Sequence, residues 1–197
     1  SGWQIGLNTK EAVGDIFWKG AGEGWVEGNF KRLVVRPAAE IGEGSTTLIN
    51  TLPGMSLSVD DLHIGDKALG KLELRARNDK GAWYLDTLNL QNPDGALKGR
   101  GMWNNTGRHQ TRLDFELTAK DAGKLLDRLG YGDTVRRGTA RLSGDLQWSG
   151  PLTGIHYPSL SGQVNVNVES GQFLKVEPGI AKLLGVLSLQ SLPRRLT

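Results

Sequence analysis

The constraint that bears hardest on this chain is an alternation stated twice between Gly138 and Phe173, in GTARLSGDLQWSGPLTGIHYPSLSGQVNVNVESGQF. Ala140, Leu142, Leu146 and Trp148 alternate with Arg141, Ser143, Asp145 and Gln147, and then Val164, Val166 and Val168 alternate with Gln163, Asn165, Asn167 and Glu169. Successive side chains of a strand point to opposite faces, so each run predicts a strand with one apolar and one polar side. The connection between them, SGPLTGIHYPSLSG, is too long for a tight hairpin and is rich in turn formers. Two antiparallel strands joined by a loop follow. For function, the question is what covers the apolar face: the protein's own core or a lipid chain.

The rest of the chain obeys the same rule. WQIGL, DIFWKG and GWVEGNFKRLVV read as strands, the last two joined by the glycine turn GAGEG. Residues 36–51 are less periodic and read as a connection that includes a short helical turn. Met55, Leu57 and Val59 share one phase, and Leu62 and Ile64 resume in the other, which predicts a β-bulge around Asp60 and Asp61. Leu72, Leu74 and Ala76 form a clean strand that turns at NDKG. In WYLDTLNLQN, Trp83 and Leu85 hold one phase and Leu88 and Leu90 the other, and NPDG turns the chain again. In ALKGRGMW, Leu97, Gly99, Gly101 and Trp103 share a face, so two glycines leave room between bulky neighbours. Leu113, Phe115 and Leu117 mark the next strand. The 28 glycines, without collagen periodicity, suit the turns and bulges of an all-β chain.

Two segments follow a helical period instead. Residues 120–129, KDAGKLLDRL, predict a short helix with Asp121 at its N-cap, Leu125, Leu126 and Leu129 on one face, and Gly130 as its stop. Residues 178–189 predict an amphipathic helix that starts at Pro178, with Ile180, Leu183, Leu184 and Leu187 at i, i+3, i+4 and i+7.

Charge and motifs exclude several functions. Lys+Arg 24 against Asp+Glu 21, interleaved along the chain, gives no concentrated basic face, so nucleic acid is not the expected partner. There are no cysteines, hence no disulfide scaffold and no thiolate metal site. No run approaches the roughly 20 apolar residues that span a bilayer, and the abrupt ends, WQIGL and PRRLT, predict a piece of something larger. His63, His109 and His156 lack metal-ligand spacing, Asp60 and Asp61 are adjacent on a strand, and no GxSxG, HExxH or P-loop occurs. No cofactor, metal or catalytic residue is expected. The tryptophans at 83, 103 and 148 sit in alternating strands, where a core or groove role outweighs sugar stacking. Arg136-Arg137 and Arg194-Arg195 read as solvated pairs.

GDLQWSGP, the strand SGQVNVNVESGQFLKVEPG and above all IAKLLGVLSLQSLPRRLT resemble the C-terminal part of AsmA-like proteins, specifically the YhdP branch. The order of features is that of the family: the glycine-flanked return with Gly171 and Phe173, the apolar helix over Ile180 to Leu189, and the Leu-Pro-Arg-Arg-Leu run from Leu192 to Leu196. The specific part covers about the last quarter of the chain, and Leu88 to Trp103 carries the family's repeated strand style. The family's membrane helix and most of its length are missing here.

The resemblance implies an all-β fold with two short helices, a curled antiparallel sheet forming an open hydrophobic groove (a β-taco), and residues 1–197 as one β-groove fragment. It implies a periplasmic protein of Gram-negative bacteria, anchored to the inner membrane by a segment absent here. Its expected work is non-enzymatic phospholipid transport between inner and outer membranes, in support of the outer-membrane barrier. The expected partners are phospholipid acyl chains, the two membranes, and periplasmic or membrane proteins. On that reading the groove is lined by Leu72, Leu74, Leu97, Trp103, Leu113, Phe115, Leu117, Leu142, Leu146, Trp148, Val164, Val166 and Val168. Ile180, Leu183, Leu184 and Leu187 would cap it or contact a membrane. A β-sandwich adhesion or carbohydrate-binding module is the alternative; it requires a second sheet about 10 Å from the first.

Overall fold

The computed structural model describes residues 2–20, 24–36, 52–104, 109–133, 135–151, 155–169 and 172–173. Ten strands build one open, curled sheet: β1 (Gly2–Asn8), β2 (Ala12–Lys19), β3 (Trp25–Val35), β4 (Gly54–Ile64), β5 (Lys67–Asp79), β6 (Ala82–Asn92), β7 (Gly95–Asn104), β8 (Gln110–Ala119), β10 (Ala140–Ser149) and β11 (Ser161–Val168). They lie side by side in chain order, with β1 and β11 outermost among the described residues. Between β8 and β10 the chain makes α1 (Ala122–Arg128) and the two-residue β9 (Val135–Arg136), which pairs with β12 (Gln172–Phe173) in a separate ribbon. A 3₁₀ turn, Tyr157–Ser159, interrupts the connection from β10 to β11.

Every pairing in the large sheet is antiparallel except one. β3 and β4 run parallel, Trp25 beside Gly54 and Val35 beside Ile64. The meander expected from the alternation therefore reverses once, because a parallel pair requires the chain to return to the starting end of the strand. That return uses residues 36–53, of which 37–51, including the expected helical turn, lie outside the described residues. The expected helix over 178–189 also lies outside them.

Turn chemistry matches the sequence. At NDKG, Asp79 pairs with Ala82, leaving Lys80 and Gly81 as a two-residue turn with φ of 52° and 82°. Both in the left-handed region make the turn whose twist suits a hairpin. At NPDG, Oδ1 of Asn92 accepts from the backbone N–H groups of Asp94 and Gly95, each at 3.0 Å. Asp121 caps α1, its Oδ1 accepting from the Lys124 N–H at 3.0 Å.

Two bulges keep the apolar residues on one side. Val59 pairs with Leu72 and Leu62 with Gly70, so Asp60 and Asp61 both oppose Lys71. The extra residue returns Leu62 to the face of Val59, and both are buried. In β6, Leu85 pairs with Gly101 and Leu88 with Gly99, with Asp86 and Thr87 opposite Arg100. The two phases of WYLDTLNLQN are thereby one face.

Candidate functional site

Register turns these strands into continuous apolar rows. Cross-strand partners share a face and stand about 5 Å apart. The first row runs Leu7, Gly14, Phe30, Val59, Leu72, Leu90, Leu97, Leu117, Leu142, Val166, one residue from each of the ten strands. A second row passes through Ile5, Ile16, Gly28, Leu57, Leu74, Leu88, Gly99, Phe115, Gly144 and Val164. A third runs Trp3, Trp18, Val26, Met55, Ala76, Leu85, Gly101, Leu113, Leu146 and Gly162. No member of the three rows is polar.

The expected lining residues all fall on this face. Leu72, Leu97, Leu117, Leu142 and Val166 belong to the first row, Leu74, Phe115 and Val164 to the second, and Leu113 and Leu146 to the third. Trp103 and Trp148 flank Thr111 in a fourth row, with Trp83 beside Trp103. Val168 stands at the other end of the strands beside Ala140. Ile180, Leu183, Leu184 and Leu187 lie outside the described residues. The sequence reading missed the β1–β4 share of the rows, including Leu7, Ile16, Phe30 and Val59. It also missed Leu88 and Leu90, although the phase change at Asp86 and Thr87 was the available signal.

The face is not uniform across the sheet. In its β3–β6 part the residues pack on one another: Phe30, Val59, Leu62, Leu69 and Leu72 form one buried cluster, joined by Leu7, Ile16, Leu88, Leu90 and by Leu129 beyond α1. Ala76, Trp83, Leu85 and Trp103 form a second. From β7 to β11 Leu97, Phe115, Leu117, Leu142, Leu146 and Val164 are only half-buried. At the edges, Val166 and Val168 are 51% and 47% exposed, and Trp3 and Ile5 52% and 44%.

One end of the sheet carries an indole rim. Nε1 of Trp83 donates to the Pro53 carbonyl at 3.1 Å and Nε1 of Trp148 to that of Pro151 at 3.0 Å. Thr111, fully buried between Trp148 and Trp103, donates to the Gly150 carbonyl at 2.6 Å. Among the described residues, Nε1 of Trp103 and Oδ1 of Asn78 are buried without a partner, at a cost of about 1–3 kcal/mol each that the packing of this rim must exceed. At the opposite end α1 packs against the start of β5 and the β6–β7 turn.

The other face of the sheet is mostly polar, with exposed ion pairs between neighbouring strands, Arg32–Asp61, Arg77–Asp86 and Arg100–Asp114, and a few apolar side chains such as Phe17, Trp25 and Met102. Such pairs contribute at most about 1 kcal/mol each. His63 is held by Asp61 at 2.9 Å and His156 by Ser159 at 2.8 Å. Among the described residues no group of three His, Asp or Glu side chains is placed to hold a metal.

A family model described as YhdP protein matches residues 1–197, the whole of the chain. The chain belongs to the YhdP family. The match extends the AsmA-like resemblance from the last quarter to every strand of the sheet. YhdP proteins form a membrane-associated envelope family with a role related to lipid transport, and it is not a known enzyme family. Among the described residues no helix is long and apolar enough to cross a membrane. No curated protein and no solved structure matches the chain.

Proposed function

We propose that this chain is one section of a groove that conducts phospholipids between the inner and outer membranes, without catalysis, in a periplasmic protein anchored to the inner membrane. The observation that carries the reading is the unbroken passage of three apolar rows across all ten strands, in a chain of the YhdP family. An acyl chain in water costs about 0.8 kcal/mol per exposed CH₂, so an apolar path lowers the barrier to leaving one bilayer for another. Conduction needs such a path and no reacting group. The lipid-facing residues are the thirteen lining candidates, of which those on β7 to β11 other than the buried Trp103 and Trp148 are at least partly accessible. Ile180, Leu183, Leu184 and Leu187, which lie outside the described residues, would close the groove or touch a membrane. The sandwich alternative lacks its second facing sheet among the described residues.

The test is to replace Leu142 and Val166 by Asp in the complete protein. Loss of phospholipid crosslinking and of outer-membrane integrity, with the fold retained, is the expected result. Unchanged crosslinking and a normal envelope would overturn the proposal.

A further inference from the structure

The six tryptophans of the chain all stand at one end of the sheet. Trp25 opens β3, Trp3 and Trp83 are second in β1 and β6, and Trp18, Trp103 and Trp148 are next to last in β2, β7 and β10. Register brings these ends together: Gly2, Lys19, Trp25 and Gly54 are successive partners, and so are Ala82, Asn104, Gln110 and Ser149. The opposite end holds α1 and the charged side chains of Asp66, Lys67, Asp94, Lys124, Asp127 and Arg128.

Core packing explains bulk at these positions but not their common end. On β7, β8 and β10 the same face finishes at the other side in Gly95, Ala119 and Ala140. Nor does packing account for Trp3, which is 52% exposed and stacks on Trp18 with ring centroids 6.3 Å apart. An indole has an apolar body and a single N–H, and gathers where an apolar medium meets a polar one. The depth of the face agrees with such a boundary. Leu97 and Leu142 lie six residues from Trp103 and Trp148, about 20 Å along a strand. The acyl part of a bilayer lipid fills about 15 Å, half of the roughly 30 Å hydrocarbon core.

We infer that a guest phospholipid lies along the strands, its glycerol and headgroup at the tryptophan end and its tails pointing toward the α1 end. The rim, from Trp3 and Trp18 on the outermost hairpin to Trp148 on β10, then holds each lipid in one orientation as it moves along the rows. This rests on the groove reading above and adds a direction to it.

The experiment places a photoreactive phenylalanine analogue at position 3 or position 166 of the complete protein, in cells grown on radioactive phosphate. Trp3 and Val166 are each about half exposed, so both variants are expected to fold. After crosslinking, mild alkali cleaves the acyl esters and spares the phosphate diester. Phosphate therefore stays on the protein when the new bond is to glycerol or headgroup, and leaves when it is to a tail. Both positions are expected to label, with phosphate kept at position 3 and lost at position 166. The same fate at both, or the reverse, overturns the orientation and leaves the groove standing. Labelling at position 3 alone marks contact with a bilayer surface, labelling at position 166 alone shows that the rim meets no lipid, and either overturns the inference. No labelling at either position removes the groove reading as well.

Discussion

Arg128 of α1 donates twice to a single oxygen of Asp94 in the β6–β7 turn, from Nη2 at 2.6 Å and from Nε at 3.0 Å. Its Nη1 reaches the Ala68 carbonyl at 3.2 Å, and the Asp94 backbone carbonyl accepts from the N–H groups of Lys120 and Asp121. Asp94 and Arg128 together thus fasten the helix, the end of β8 and the start of β5. Both side chains are largely withdrawn from water. Arg128→Ala is therefore expected to destabilise the fold by about 3 kcal/mol, since it leaves a buried carboxylate unpaired. Chemical denaturation measures this, and a change under 1 kcal/mol would show that the helix is held by packing alone.

The contrast between packed and open parts of the apolar face is measurable as stability. Leu72→Ala, in the buried cluster, is expected to cost about 2–4 kcal/mol through the cavity it leaves. Val166→Ala, half exposed on the edge strand, should stay within about 0.5 kcal/mol. Similar losses at both positions would mean that Val166 is covered in solution.

The bulge at Asp60 and Asp61 sets the register of everything after it in β4. Deleting Asp60 would turn Leu62 and the residues beyond it to the opposite face, and loss of cooperative unfolding is expected. Asp60→Ala preserves the count and should behave like the natural protein. A folded deletion variant would show that the edge of β4 slips without penalty.

The two glycines of β7 should differ in stability as well. Gly99→Ala is expected to stabilise by about 0.5 kcal/mol, because the unfolded chain loses freedom and the native site accepts a methyl. Gly101→Ala forces a carbon against the Arg112 carbonyl and should destabilise by more than about 1 kcal/mol. Thermal melts of the pair read the sign directly.

The strands and their apolar faces were legible because alternation is a local property: Leu142, Val166 and Phe115 announce their side within a few residues. The bulge at Asp60 and Asp61 was legible for the same reason, as a change of phase. The one at Asp86 and Thr87 left the same mark in WYLDTLNLQN, yet two phases in one strand do not say whether the strand twists or bulges. The direction of β4 was not legible, because it depends on where residues 36–53 carry the chain and not on any pattern inside β4. Nor was the pair Arg128–Asp94, whose members stand 34 positions apart. Gly99 and Gly101 are indistinguishable as letters; only the backbone of the adjacent strand separates them.

The rows cross the strands instead of following them, and this decides how such a protein reaches across space. Each strand adds about 4.8 Å to a row, so the ten strands here span roughly 43 Å, close to the full thickness of one bilayer. Strand length governs only the width of the path. A lineage that needs a longer span has a simple course open to it: duplicate a hairpin, keep the register, and extend the road two strands at a time.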